Sequence, residues 1–191
     1  MQAMPDESPA NPSSPTMRRV RRIARWTRGM ALLGAVTLPV GTLGLWASPE
    51  WIRTVIAREM NLGAEQIIVT PGVQWGGALV SLLPLAIALF ALLQVWQLFG
   101  DYARGAIFTA RATMQLRRLA WSLIGVTAAQ VLARTATGIV LTMNNPPGKK
   151  MLVVCVSSND YVLLLFGLLV LAIAWVMVEA TRIALEHAEF V

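Results

Sequence analysis

The side chains able to do chemistry are few. Cysteine and histidine occur once each, as Cys155 and His187, and the ten acidic residues all fall outside the long apolar runs. Thiol–disulfide exchange within the chain needs a second thiol, and a haem held between helices by two histidines needs a second imidazole. Zinc needs three or four converging ligands, and no spacing of that kind occurs. Neither a glycine-rich phosphate loop nor a Gly-x-Ser-x-Gly elbow is present. No catalytic residue, cofactor or metal is therefore expected.

Arg134 is the residue out of keeping with its surroundings, because it lies inside an apolar run. Thr127, Gln130, Arg134 and Thr137 recur at intervals of three and four and share one helical stripe. Gly125, Ala129, Ala133 and Thr137 form a neighbouring stripe of small residues that permits close helix approach. Counted inward from the end of its run, Arg134 is roughly 13 Å deep. A guanidinium at the bilayer centre costs about 2.5–3.5 kcal/mol on insertion scales, so it should face other helices. No carboxylate is expected at that depth. Pro84 and Pro39, however, each free the carbonyl four residues earlier, on Val80 and Ala35, and Thr37 and Ser81 stand nearby. The expected arrangement is a structural polar cluster of Arg134, Gln130, Thr127, Thr137, Thr37 and Ser81 joining the first three spans. A ligand site, or snorkelling of Arg134 towards the surface, is the alternative.

The elements that must position these residues follow from composition. The chain has 191 residues, of which 56% are apolar and 14% charged, and its mean hydropathy is +0.60. Soluble domains carry about 25% charged residues. Four runs, at about 29–47, 76–99, 119–143 and 161–178, approach the ~20 residues a helix needs to cross a bilayer. The fold class is thus an all-α membrane protein, a bundle of four transmembrane helices spanning residues 17–191. Residues 1–16, with Pro5, Pro9, Pro12 and Pro15, read as a disordered tail.

Arg18, Arg19, Arg21, Arg22, Arg25 and Arg28 precede the first span, which reads as a retained helix and not as a cleaved signal. With the amino terminus inside, eleven basic residues lie on the cytoplasmic side and four on the other. The positive-inside rule then puts both termini in the cytoplasm. The early arginines are read as topology determinants and as an anchor to anionic headgroups. Direct nucleic-acid binding is not expected, since no fold motif accompanies the charge.

Between the spans, Trp51, Val55, Ile56 and Met60 suggest a short amphipathic helix ending near Gly63. The β-branched runs 66–70 and 151–156 could pair as a small extracytoplasmic sheet. On the inner side the second span continues through Arg104, Gly105 fits a helix-ending position, and Thr109 fits the cap of a helix starting at Ala110. Arg104, Ile107, Phe108, Arg111, Arg117 and Arg118 would form a cytoplasmic partner surface on this connector. Glu179, Arg182 and Glu186 stand at helical spacing past the last span.

The segment Tyr102-Ala-Arg-Gly-Ala-Ile-Phe-Thr109 followed by Leu116-Arg-Arg-Leu119, together with the closing segment Ala174 to Glu186, resembles a bacterial membrane family called domain of unknown function 2975. The resemblance covers roughly residues 30–191, with His187 standing where Asn is commoner. It implies a four-span bundle in the bacterial cytoplasmic membrane and a frequent genetic neighbour, a small helix-turn-helix regulator. It implies no enzymatic activity.

The function expected is regulatory: a non-enzymatic membrane protein that holds or releases a cytoplasmic partner such as a transcriptional regulator. A small transporter or channel subunit for anionic or neutral cargo, or an accessory subunit of a larger complex, is the alternative. Self-association is left open.

Overall fold

A computed structural model of the chain describes residues 15–56, 69–105, 109–142 and 156–189. Four long helices make up most of it: α1 (Pro15–Ala47), α3 (Pro71–Ala103), α4 (Ala110–Thr142) and α5 (Ser158–Glu189). Between α1 and α3 lies a short α2 (Pro49–Trp51), which runs into a π-helical turn (Ile52–Ile56). All four long helices contain a stretch long and apolar enough to cross a membrane, and the protein is a multi-pass membrane protein. Most of their large apolar side chains, from Leu32 on α1 to Trp175 on α5, are exposed on the protein surface, as lipid-facing residues are.

Among the described residues each long helix packs on the one before and after it in the chain, and α1 and α5 share no extensive contact. The four antiparallel helices therefore stand in a row. Glycines permit close approach at each of the three seams. Gly167 of α5 lies where a Cβ would come within 3.0 Å of Ile124 Cγ1 and 3.3 Å of the Ile124 backbone nitrogen on α4. Gly76 of α3 meets Val140 of α4, and Gly34 of α1 meets Leu92 of α3. Gly125, in the predicted small-residue stripe, faces Ile87 of α3 at ordinary contact distance.

The turn joining α3 to α4 uses the predicted local chemistry. Gly105 has φ 85°, a left-handed conformation that only glycine adopts without cost, and its N–H donates to the Tyr102 carbonyl. Thr109 caps α4, its hydroxyl accepting from the Ala112 N–H at 3.2 Å. At the opposite end Thr70 caps α3, with Pro71 in the first turn.

With 33 residues each, α3 and α4 are about 50 Å long, more than the 40–45 Å of a bilayer with its headgroups. They overshoot at the end opposite the turn. Trp46, one residue from the end of α1, lies against Gly77, so six residues of α3 project past it. The Pro49–Ile56 segment folds over this projection. Ile52 is fully buried there in a core with Trp46, Val73 and Leu141. This is the cap end of the bundle, and the opposite end, with the α3–α4 turn, is the turn end.

Several expectations meet the structure differently. The helix α1 begins at Pro15, inside the segment expected to be disordered, while residues 1–14 lie outside the described residues. The predicted amphipathic helix after Pro49 is present as α2 and the π-helical turn through Ile56; its continuation to Gly63 lies outside the described residues. So does nearly all of the expected β pairing of 66–70 with 151–156; Val69, Thr70 and Val156, which are described, are in neither strand nor helix.

Candidate functional site

The start of α5 is set by a local sequence signal. In Ser157-Ser-Asn-Asp160, the Ser157 hydroxyl accepts from the Asn159 N–H at 3.3 Å, and the Asp160 carboxylate accepts from the Ser157 N–H at 2.8 Å. The pair is a variant of the capping box: the hydroxyl caps the second residue of the helix and not the third, and Asp stands in the place more often held by Glu. It holds Asp160 in one orientation, pointing at α4.

There Asp160 receives Arg134. The two terminal guanidinium nitrogens donate to the two carboxylate oxygens at 2.6 and 2.7 Å, and one of them also donates to Gln130 Oε1 at 3.3 Å. The Asp160 side chain is 3% exposed and that of Arg134 20%. Helical side chains lean towards their own N-terminus, which brings the Arg134 guanidinium back over Gln130, one turn earlier. The bidentate fork suits arginine and a carboxylate better than any other pair.

The expected polar cluster is therefore corrected. A carboxylate does reach Arg134, and it comes from α5, not from α1 or α3. The physical reason is that α4 overshoots. Gly167 is level with Ile124, so Asp160, seven residues before Gly167, is level with Val131. About nine residues of α4 extend beyond the start of α5, roughly 13 Å at 1.5 Å per residue. Arg134 thus stands at the mouth of the α4–α5 seam.

The remaining predicted members are dispersed. Thr127 is buried and returns its hydroxyl to the Leu123 carbonyl, while Thr137 is buried one turn beyond Arg134. Thr37 lies exposed on α1 and donates to the Gly34 carbonyl at 3.5 Å. Ser81 accepts from Trp46 Nε1 at 3.0 Å and donates to the Gly77 carbonyl at 2.9 Å. Of the predicted set, Gln130 and Arg134 come together.

A second polar region lies at the turn end, where the sequence suggested a cytoplasmic partner surface but no buried carboxylate. Asp101 is 5% exposed. It pairs with Arg104, and its other oxygen is 3.7 Å from Arg111 Nε. Both arginines are otherwise largely exposed, so a buried anion draws two surface cations together, binding Arg104 directly and attracting Arg111 at longer range. Gln94 and Gln115 are also buried at this end of α3 and α4. Arg28 of α1 lies over the Trp96 ring, 4.2 Å from its centroid, a cation–π contact. Arg28 is thereby a packing residue of the α1–α3 seam, whereas Arg19, Arg21, Arg22 and Arg25 are exposed. Nothing is described of the Arg18 side chain.

Arg117 and Arg118 are exposed two turns along α4, where they line a groove with Trp121, Ser122, Phe90 of α3 and Trp175 of α5. Ile107 and Phe108 lie outside the described residues. Arg182 lies 3.7 Å from Glu179 past the last apolar stretch; the Glu186 side chain is outside the described residues. Among the described residues no three His, Cys, Asp or Glu side chains gather in a way that would hold a metal.

A signal for the first cluster was in the sequence. Ser157-x-x-Asp160 ahead of an apolar run is a helix-start pattern, and a capping carboxylate beside an intramembrane arginine is a natural partner for it. Asp101 had no comparable signal, since burial of one connector residue depends on how α4 returns against α3.

The profile of a family described as a protein of unknown function, DUF2975, matches residues 58–191. The chain belongs to that family. The match covers α3, α4 and α5 with the connections between them, and so includes both Asp101 and the Arg134–Asp160 pair. No curated protein and no solved structure matches the chain.

Proposed function

We propose that this member of the family is a non-enzymatic regulatory protein of the bacterial cytoplasmic membrane, whose turn end faces the cytoplasm and holds or releases a protein partner. The observation that carries the reading is the Asp101 clamp. One buried carboxylate holds Arg104 and lies 3.7 Å from Arg111, on either side of a turn that is capped by Gly105 and Thr109. A cationic tip held this way loses little side-chain entropy when a partner binds, which favours recognition. Helix α5 also continues past its apolar stretch to Glu189, adding a second projecting surface at the same end. The charge distribution supports a cytoplasmic turn end, because basic residues concentrate there.

The kind of partner comes from the family resemblance, which implies a small helix-turn-helix regulator encoded alongside. Such a regulator would be retained at the membrane or released by a shift in helix packing. The test is co-expression with the regulator encoded next to this gene, followed by recovery of the tagged membrane protein. The intact protein is expected to retain the regulator and R104E/R111E to lose it. Equal retention by both, or an adjacent permease gene in place of a regulator, contradicts the reading.

A further inference from the structure

The groove that holds Arg117 and Arg118 is independent of the Asp101 clamp and has a different chemistry. Its floor is α4, with Ser122 buried and Trp121 rising from it; Phe90 of α3 and Trp175 of α5 stand on either side. Trp121, Trp175 and Phe90 are 59%, 67% and 47% exposed, so the groove opens sideways, towards lipid. Among the described residues neither the Arg117 nor the Arg118 guanidinium has an ion-pair partner, in contrast to Arg104, Arg111, Arg134 and Arg182.

The levels of these residues are informative. Stepping from Gly167 on Ile124 down the α4–α5 seam puts Trp175 beside the turn of α4 that carries Arg117. Phe90 lies about two turns further from the turn end than Trp96, whose ring carries Arg28. Cations and indole rings thus share one level, and Phe90, Trp121 and Ser122 continue the groove about one turn further towards the middle of the helices as a short trough. Indoles favour the headgroup zone, guanidiniums pair with phosphodiester oxygens in a fork, and basic pockets between membrane helices bind anionic headgroups.

We propose that this groove is a binding site for an anionic phospholipid of the leaflet at the turn end. Arg117 and Arg118 hold the phosphate, Trp121 and Trp175 flank the glycerol region, and one acyl chain lies along the trough past Phe90. Charge complementarity selects a lipid with net negative charge over a zwitterionic one.

The experiment uses the full-length protein in detergent, titrated with phosphatidylglycerol or phosphatidylcholine and read by native mass spectrometry. Wild type should bind phosphatidylglycerol at least tenfold more tightly. Each basic side chain near an anionic surface is worth roughly fivefold, so R117Q/R118Q should lose on the order of 25-fold. R53Q, which removes an exposed arginine at the cap end, should lose much less. Equal binding of the two lipids by wild type overturns the proposal. So does a loss in R53Q as large as that in R117Q/R118Q, or full competition by millimolar inorganic phosphate. If R117Q/R118Q does not fold, wild-type tryptophan quenching decides: phosphatidylglycerol with brominated chains should quench more strongly than brominated phosphatidylcholine, and equal quenching overturns the proposal.

Discussion

Arg134 of α4 and Asp160 of α5 face each other fork to fork, and the same Asp160 carboxylate accepts the Ser157 N–H that starts α5. One side chain therefore both begins the last helix and fastens it to its neighbour. Removing one partner of a buried ion pair leaves an uncompensated charge, at a cost of about 3–5 kcal/mol. Arg134→Leu should fall within that range, because it leaves the 3%-exposed Asp160 carboxylate without its cation. Asp160→Asn, which retains an oxygen for the capping bond, should cost less. Unfolding of the detergent-solubilised protein measures both. The double variant should lose clearly less than the sum of the singles, and additive losses would contradict a direct pairing.

Ser157 contributes to the same junction from the backbone side. Ser157→Ala removes the acceptor for the Asn159 N–H and should cost about 1 kcal/mol, the usual worth of a helix cap. Hydrogen exchange should rise at the first turn of α5 while α3 stays protected.

At the cap end, the Trp46 ring fills the space a Cβ would need at Gly77. Gly77→Ala should displace the ring, break the Trp46–Ser81 bond and destabilise the protein by about 1–3 kcal/mol, as overpacking does. Thermal unfolding reads the loss. In a Trp46→Ala background the same substitution should be nearly neutral, since the colliding ring is gone.

The legible parts of the fold are those with local causes. Four apolar runs, a glycine at the end of α3 and a threonine before α4 each carry their own physical reason, and the structure holds all of them. The Arg134 partner was missed for a reason of geometry. Hydropathy marks where an apolar run stops but not where the neighbouring helix begins, and α4 outruns α5 by more than two turns. Counting inward from the end of α4 therefore placed Arg134 beside Pro39 and Pro84 instead of beside Asp160. The clamp at Asp101 depends on the return of α4 against α3, a tertiary relationship that no spacing in the connector announces.

The turn itself offers a direct check on preorganisation. Gly105→Ala places a Cβ at φ 85° and should cost about 1–2 kcal/mol, with Gly105→Asn milder. If the Asp101 clamp matters for recognition, Gly105→Ala should also weaken partner retention. Equal retention would mean that the tip does not need to be rigid.

Only a turn end on the cytoplasmic side can meet a cytoplasmic partner. Ala110, exposed in the first turn of α4, is a suitable reporter once the native thiol is removed by C155A. A membrane-impermeant maleimide applied to cells with an intact cytoplasmic membrane should leave A110C/C155A unlabelled, and label it fully after lysis. Labelling before lysis would place the arginine-rich turn outside and contradict the account.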